Sequence, residues 1–353
     1  MSLIDPTPAP SPRTVPIALF AVAVLLVGGI GIAGTAAYFE VHPAGTTGPG
    51  GPSGPGNATA PRTVTLTDDL GRTVTVPVDP ARVVSLSPSV TDSMELLGLA
   101  GHLVGVDCYA VLGLAGDYTS AQIAAWNLTA SMCVEAGPSL DVEELLNDTP
   151  QLVLVATTTS ESSVEELTAT YHLPVLVLQP STLGGIEVDV GLLAQIFPSA
   201  AGRAAALQSS MQVELERASA LATNLSDNGT TLPSVLLTYY TDSSGYYTFG
   251  PGTFGESLLE MASASSIAAA TPLEYPELSG SQVLVANPWA VIYATGFGLN
   301  LSSYAQAPDW SSLNATSDGH AWGIDSTLLT EPDPAMILEG LPTLLALLHP
   351  NGG

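Results

Sequence analysis

The sequence predicts an α/β protein of two α/β lobes built on one plan, joined by a long connecting helix and preceded by one N-terminal transmembrane helix. Three observations carry this. Strand, polar turn and helix recur in the same order in each half of the chain. Between the halves lies a run with apolar residues at spacings of three and four. Ahead of both, residues 17–39 are apolar or small throughout, and about 20 such residues suffice to span a bilayer.

Arg13 precedes that apolar run and Glu40 follows it. A cleaved signal peptide would have a shorter apolar region, roughly 7–15 residues. No Cys stands near its end to accept a lipid. The reading is an uncleaved single-pass anchor in the cell membrane, with residues 1–16 as a short cytoplasmic tail and the rest on the extracellular side. Residues 40–62, rich in Gly, Pro and Thr without apolar period, form a tether. N-x-S/T sequons at Asn57, Asn127, Asn147, Asn224, Asn228, Asn300 and Asn314 all follow the anchor, which fits an exported glycoprotein. Cys108 and Cys133 also lie beyond it, either paired as a disulfide or packed as two small buried thiols.

The first lobe is expected over residues 63–184. Residues 63–76 alternate in and out around Asp69-Leu70-Gly71, the pattern of a β-hairpin. Val83-Val84-Ser85-Leu86 then reads as a short buried strand. It stops at Ser87-Pro88-Ser89, where a helix begins: Pro88 suits a first helical position, and Ser89 and Asp92 have the spacing of a capping box. Val90, Met94 and Leu97 share one helical face, and Gly98 ends it. A second strand follows at residues 103–106. A helix N-terminus with free amides therefore opens at the carboxyl end of a strand, where open α/β sheets bind ligands. Residues 140–157 add a short acidic helix, a proline and a buried strand, an order that residues 278–295 repeat.

Residues 185–230 form the connecting segment, helical in pattern apart from Pro198. Ala204, Leu207, Met211, Leu215, Ala218 and Leu221 make its apolar stripe. About 25 residues of helix would rise roughly 37 Å, the height of a lobe. The second lobe, residues 231–350, opens with a strand, a polar loop crowded with Tyr239, Tyr240, Tyr246, Tyr247 and Phe249, and a helix from about Thr253.

Composition narrows the function. Among 353 residues the net charge is −27, all six basic residues are Arg and Lys is absent. Nucleic-acid binding needs clustered cations and is excluded. Only 11 % of residues are charged, so the chain lacks the dense acidic coat of a disordered polymer. A surface of Ser, Thr and Asn changes little when carboxylates are protonated, which points to an acidic exterior. None of the five His residues sits at metal-ligand spacing with another. There is no G-x-S-x-G elbow, P-loop or Cys–His pair, and the adjacent Glu143-Glu144 and Glu165-Glu166 point apart on a helix. No catalytic, metal or cofactor site is expected, and the chain is not read as an enzyme. Tyr109, Tyr246, Tyr247, Tyr275, Trp310 and Trp322 stand in loop-like contexts, placed either to grip a large, partly apolar ligand or to pack in the core.

Longer motifs run through the chain. Residues 68–74 read DDLGRTV, residues 80–92 PARVVSLSPSVTD and residues 97–106 LGLAGHLVGV. Together they resemble the opening of the iron-siderophore/cobalamin type of ABC-importer binding protein. The resemblance continues through residues 140–156, 248–262 (TFGPGTFGESLLEMA) and 309–315 (DWSSLNA), and covers about 63–350. It implies two α/β lobes whose connecting helix limits closure to a small hinge movement. It also implies capture of a bulky chelate, a ferric siderophore, haem or cobalamin, and delivery to an ABC importer permease. Ser87, Pro88, Ser89 and the tyrosine loops would hold the ligand.

In that family one Glu on each lobe meets the permease. The first falls on Glu143; the second falls on Ser281, with Glu277 four residues earlier as a substitute. A late Pro-Arg pair near the cleft is here Pro334-Ala335. Of the lobes' arginines, Arg72, Arg82, Arg203 and Arg217, none is placed at the cleft mouth. An anionic ligand would lack a charge clamp, so a neutral or cationic one is expected. The rival class is a surface sensor or adhesion module using the same fold without transport.

Overall fold

The computed structural model describes residues 62–108, 128–134, 140–156, 159–296 and 298–350. The expected anchor at residues 17–39 and Tyr109 lie outside them. Among the described residues no helix is long and apolar enough to cross a membrane.

The chain opens with the expected hairpin, β1 (Thr63–Thr67) against β2 (Thr73–Pro77), turned at Gly71 with φ 72°. Next come β3 (Val83–Ser85), α1 (Pro88–Leu96), β4 (Leu103–Asp107), β5 (Cys133–Val134) and α2 (Val142–Asn147). The lobe finishes with β6 (Leu152–Val155), α3 (Glu161–Ala169) and β7 (Val175–Val177). These strands form one parallel sheet in the order β5-β4-β3-β6-β7. Every residue of β3, β6 and β7 is buried, as a sheet covered on both faces demands. Strand order reverses between β3 and β6, so the chain leaving β3 enters a switch-point crevice.

The hairpin covers the β7 edge. Asp69 donates its backbone N–H to the Val177 carbonyl at 3.2 Å, and the Val177 N–H donates to Asp68 Oδ2 at 3.3 Å. Arg72 pairs with Asp68 at 2.6 Å and donates to the Val175 carbonyl at 3.2 Å. An edge strand that would otherwise present unpaired backbone groups is thereby blocked.

The connection consists of α4 (Leu183–Ile196), a tight turn at Pro198–Ala200 and α5 (Ala201–Asp227). Pro198, which lacks an N–H, separates the two helices. The 27 residues of α5 rise about 40 Å. Ala204, Met211 and Ala218 are buried, with Leu207, Leu215 and Leu221 packed beside them, so the whole apolar stripe faces the core.

The second lobe contains β8 (Ser234–Thr241), β9 (Tyr246–Thr248), α6 (Phe254–Met261), β10 (Ser265–Ser266) and β11 (Glu277–Leu278). It continues with α7 (Gly280–Ala286), β12 (Ala290–Thr295), β13 (Ala321–Asp325) and α8 (Leu341–Leu348). The sheet order is β11-β9-β8-β12-β13, with β10 also on β8. β8, β12 and β13 are parallel, but β9 runs antiparallel to β8. The tyrosine-rich segment is therefore a hairpin where the sequence reads as a polar loop. Its Thr and Tyr residues favour a pleated, half-buried surface, and Asp242 accepts from the Ser244 N–H at 2.7 Å in the turn. One apolar core runs from Leu66 through Leu154, Leu193 and Leu237 to Leu348, joining both lobes through the connecting helices.

Candidate functional site

Leaving β3, the chain turns through Leu86 and Ser87 into α1. Pro88 occupies the first helical turn behind Ser87, the residue before the helix. The capping box expected of Ser89 and Asp92 is not formed. With Pro88 setting the start, Ser89 lies inside the helix, and the Ser87 side chain makes no cap to its amides. Instead the hydroxyls of Ser87 and Ser89 bond each other at 2.8 Å. Thr91 Oγ1 donates to Ser85 Oγ at 2.9 Å and to the Ser87 carbonyl at 3.0 Å, tying helix to strand. Ser87 and Ser89 are only 2 % and 3 % exposed.

What covers this corner comes from the other lobe. Beyond β13, a short helix at Thr327–Thr330 leads into Glu331-Pro332-Asp333. The Glu331 carboxyl faces the Ser89 backbone amide. It therefore stands where the helix amides and dipole favour negative charge.

Glu331 has acidic company. Asp92 and Glu95 reach in from α1, Asp107 from the end of β4, and Asp333 from the loop of Glu331 itself; all five are buried. Burial, then Asp92 and Asp107, push the Glu331 carboxyl up to about 8, against the pull of the Ser89 amide. Burial, then Asp92, push Glu95 up to about 8. Burial and Asp92 hold Asp333 well above the usual carboxylate range. Asp333 Oδ1 accepts from the Ala335 and Met336 amides at 2.8 and 3.2 Å, while its Oδ2 and Glu95 Oε1 have no hydrogen-bond partner.

The lobe arginines are engaged elsewhere. Arg72 holds Asp68, Arg82 donates to the Asp148 and Thr149 carbonyls, Arg203 to the Leu97 carbonyl at 3.3 Å, and Arg217 lies 3.8 Å from Glu214. Sequence reasoning missed the acidic group, because more than 200 residues separate Asp92, Glu95 and Asp107 from Glu331 and Asp333, and Asp92 reads as a capping residue. The one available signal was Pro334-Ala335, where the resemblance expects a Pro-Arg pair near the cleft and the two acids Glu331 and Asp333 stand just before it.

The aromatic candidates divide. Tyr247 and Tyr275 join Tyr239, Phe249 and Phe254, with Tyr239 4.9 Å from Phe249 and 6.5 Å from both Tyr247 and Tyr275. Tyr247 also pairs across strands with Tyr240 and donates to Asp242 Oδ2 at 3.3 Å, at the carboxyl end of β8. Tyr246 and Trp310 lie on the opposite face of the sheet, in a core with Tyr293 and Tyr304. Tyr246 is fully buried and donates to the Pro308 carbonyl at 2.9 Å. Trp322 stacks with Trp289 and His320 near the start of β13, away from the strands' carboxyl ends. The fold thus brings Ser87, Pro88 and Ser89 together, groups Tyr247 with Tyr275, and sets Tyr246, Trp310 and Trp322 apart from them.

Cys108 and Cys133 are joined as a disulfide, tying the end of β4 to the start of β5 with Cα atoms 4.5 Å apart. Glu143 is exposed in the first turn of α2, behind the capping residue Asp141. Its structural counterpart behind Ser279, which caps α7, is the exposed Ser281; Glu277 is exposed on β11, two residues before that cap. Among the described residues no three or more His, Cys, Asp or Glu are placed to hold a metal ion.

Comparison with known proteins places this geometry. The family model described as periplasmic binding protein matches residues 83–328. The chain is 24 % identical over 291 residues to an uncharacterized ABC transporter substrate-binding lipoprotein of Bacillus subtilis, covering 82 % of this chain and 86 % of that one. It is 26 % identical over 283 residues to a cobalamin-binding protein of Halobacterium salinarum, covering 78 % of this chain and 71 % of that one. Its fold superposes on the periplasmic vitamin B12 binding protein of Vibrio cholerae with a TM-score of 0.61 at 18 % identity, covering 77 % of this chain and 98 % of that one.

Proposed function

The chain belongs to the periplasmic binding protein family, and from that premise we propose that it captures a bulky iron-chelate or cobalamin-type ligand outside the cytoplasm and delivers it to an ABC importer permease. The observation that carries this reading is the Ser87-Pro88-Ser89 corner. It lies at the switch point of the first sheet and faces a loop of the second lobe, so lobe movement covers or uncovers it. The cobalamin-binding name of the Halobacterium salinarum relative supports a large corrinoid or chelate as the ligand class. Tyr247 and Tyr275 would offer rings and hydroxyls to such a ligand. Exposed Glu143, with Glu277 in place of the missing second Glu, would meet the permease. Residues 17–39 would tether the protein to the cell membrane.

A neutral or cationic ligand fits better than an anionic one. The lobe arginines are committed elsewhere and the corner is ringed by carboxyls, so an anion would be buried without a partner. Titration calorimetry of the full chain in detergent tests the whole reading, with cyanocobalamin, haem, a neutral ferric hydroxamate and a ferric tricatecholate as probes. Micromolar or tighter binding of one of the first three is expected. Binding of none overturns the function, and tightest binding of the trianionic tricatecholate overturns the charge preference.

A further inference from the structure

Asn147, Asn224, Asn228, Asn300 and Asn314, the sequon asparagines among the described residues, are all exposed. Ligand capture uses none of them. Asn314 stands beside an open aromatic surface. Trp289 is 38 % exposed, with its ring centre 4.2 Å from that of His320 and 6.0 Å from that of Trp322. His320 and Trp322 are half-buried, their rings 5.6 Å apart. Three aromatic rings thus share one face at the amino ends of β12 and β13. Folded chains ordinarily bury such rings or cover them with a partner.

The face is held in place by backbone contacts. The Trp289 amide donates to Ser234 Oγ at 3.1 Å, and His320 Nδ1 lies 3.2 Å from the Trp289 carbonyl. Asn314 is fastened to the same spot from two sides. Its Nδ2 donates at 2.9 Å to Oδ1 of Asn287, two residues before Trp289. The carbonyl of its neighbour Ala315 accepts from the His320 amide at 2.8 Å.

We propose that Asn314 carries an N-linked glycan whose first sugars lie on the face of Trp289, His320 and Trp322. Asn314-Ala315-Thr316 has the acceptor pattern. In the transfer, Asn314 Nδ2 attacks the anomeric carbon of a lipid-phosphate-linked oligosaccharide. A C–N bond forms, the sugar's C–O bond to phosphate breaks, the lipid phosphate leaves, and Nδ2 gives one proton to a base of the transferase. The second N–H stays, and the bond to Asn287 needs only one. In the folded protein Thr316 Oγ1 donates to the Trp310 and Leu313 carbonyls at 2.9 and 2.8 Å. That hydroxyl is then closed to a transferase, so the glycan is added to the emerging chain, before the short helix at Asn314–Ser317 forms. Sugars suit the face because their C–H groups pack on aromatic rings while their hydroxyls stay in water. The site lies away from the carboxyl ends of the strands, so a glycan here leaves the Ser87–Ser89 corner open. This role is independent of which ligand the cleft takes.

Full-length protein from its native membrane, digested with chymotrypsin and analysed by mass spectrometry, should show a glycan on the peptide holding Asn314, absent in Asn314→Gln. An unmodified Asn314 overturns the proposal. The seat is read separately, by acrylamide quenching of tryptophan fluorescence. Glycosylated protein is compared with the same chain made in a host that lacks N-glycosylation. The glycan is expected to lower the quenching constant by about a third, and Trp289→Phe combined with Trp322→Phe should erase the difference. Equal quenching of the two forms, or a difference that survives both substitutions, overturns the seat. Dimerisation of the glycosylated protein that Trp289→Phe abolishes would give the face to a second copy and likewise overturn it.

Discussion

The carboxyl of Glu331, in the second lobe, faces the backbone amide of Ser89 at the amino end of α1 in the first. This contact places a buried carboxyl against the Ser87–Ser89 corner, and it gives stability a definite pH dependence. Glu331 and Glu95 titrate near 8 in the folded state against an ordinary 4.5, and Asp333 is also raised. A second acid pair, Asp69 with Asp189, joins the hairpin turn to α4, with Asp69 pushed up to about 6 mainly by burial. In each case the folded state holds a proton that the unfolded state releases. For Glu331 and Glu95 the stabilisation is therefore fully present below about pH 4.5 and is lost as pH rises through about 8, and for Asp69 it is fully present below about pH 3.8 and is lost as pH rises through about 6. Scanning calorimetry should show Tm falling from pH 5 to pH 8.5, equivalent to about 2–5 kcal/mol, with a smaller fall in Glu331→Gln. A Tm that rises or stays level over that range would contradict the assignment. The expected slope matches the acidic exterior that the charge composition points to.

Removing the disulfide should weaken the edge of the first sheet. β5 has two residues and pairs with β4 through Val106–Cys133 and Asp107–Val134, immediately beside the bond. Closing a loop of 25 residues stabilises by about 3 kcal/mol in chain-entropy terms. Cys133→Ser, or dithiothreitol on the wild type, is expected to lower the urea midpoint accordingly. An unchanged midpoint on reduction would show that the bond contributes nothing.

Two glycines in the TFGPGTF stretch should respond differently to alanine. A Cβ on Gly250 would lie 2.1 Å from the Leu273 carbonyl oxygen, in backbone that cannot swing aside. Gly252 adopts φ 84° with open space around it. Gly250→Ala should cost about 2–3 kcal/mol through displaced backbone, and Gly252→Ala about 1 kcal/mol through strain alone. Equal losses in chemical denaturation would contradict that ordering.

Glu143→Ala should leave ligand affinity intact while impairing uptake in cells, because Glu143 is exposed on α2 and makes no part of the Ser87–Ser89 corner. A tenfold loss of ligand affinity would show that the residue serves the cleft rather than docking.

The mature protein is expected to keep residues 17–39, since no lipidated cysteine replaces them as a tether. Mass spectrometry finding a mature N-terminus near Glu40 would refute the anchor.

The local elements were legible in the sequence for local reasons. Hairpin alternation, the Pro88 start and Gly98 stop of α1, and the apolar stripe from Ala204 to Leu221 depend on neighbours within a few residues, so a pattern along the chain suffices to read them. The two-lobe plan was legible because the same strand–helix order occurs twice, and the corner at Ser87 to Ser89 because a long motif carries it. Side-chain destinations were decided by the tertiary structure alone. Tyr246 and Tyr247 are adjacent in sequence, yet strand pleating sends one to each face of the second sheet, so Tyr247 joins Tyr239 and Phe249 while Tyr246 packs with Tyr293, Tyr304 and Trp310. Asp92 has the spacing of a capping residue, but the fixed backbone angle of Pro88 starts the helix earlier and leaves that carboxyl to the interlobe junction. The junction itself joins Asp92 to Glu331 across more than 200 residues of chain, and only the packing of one lobe on the other through α4 and α5 brings such distant carboxyls together.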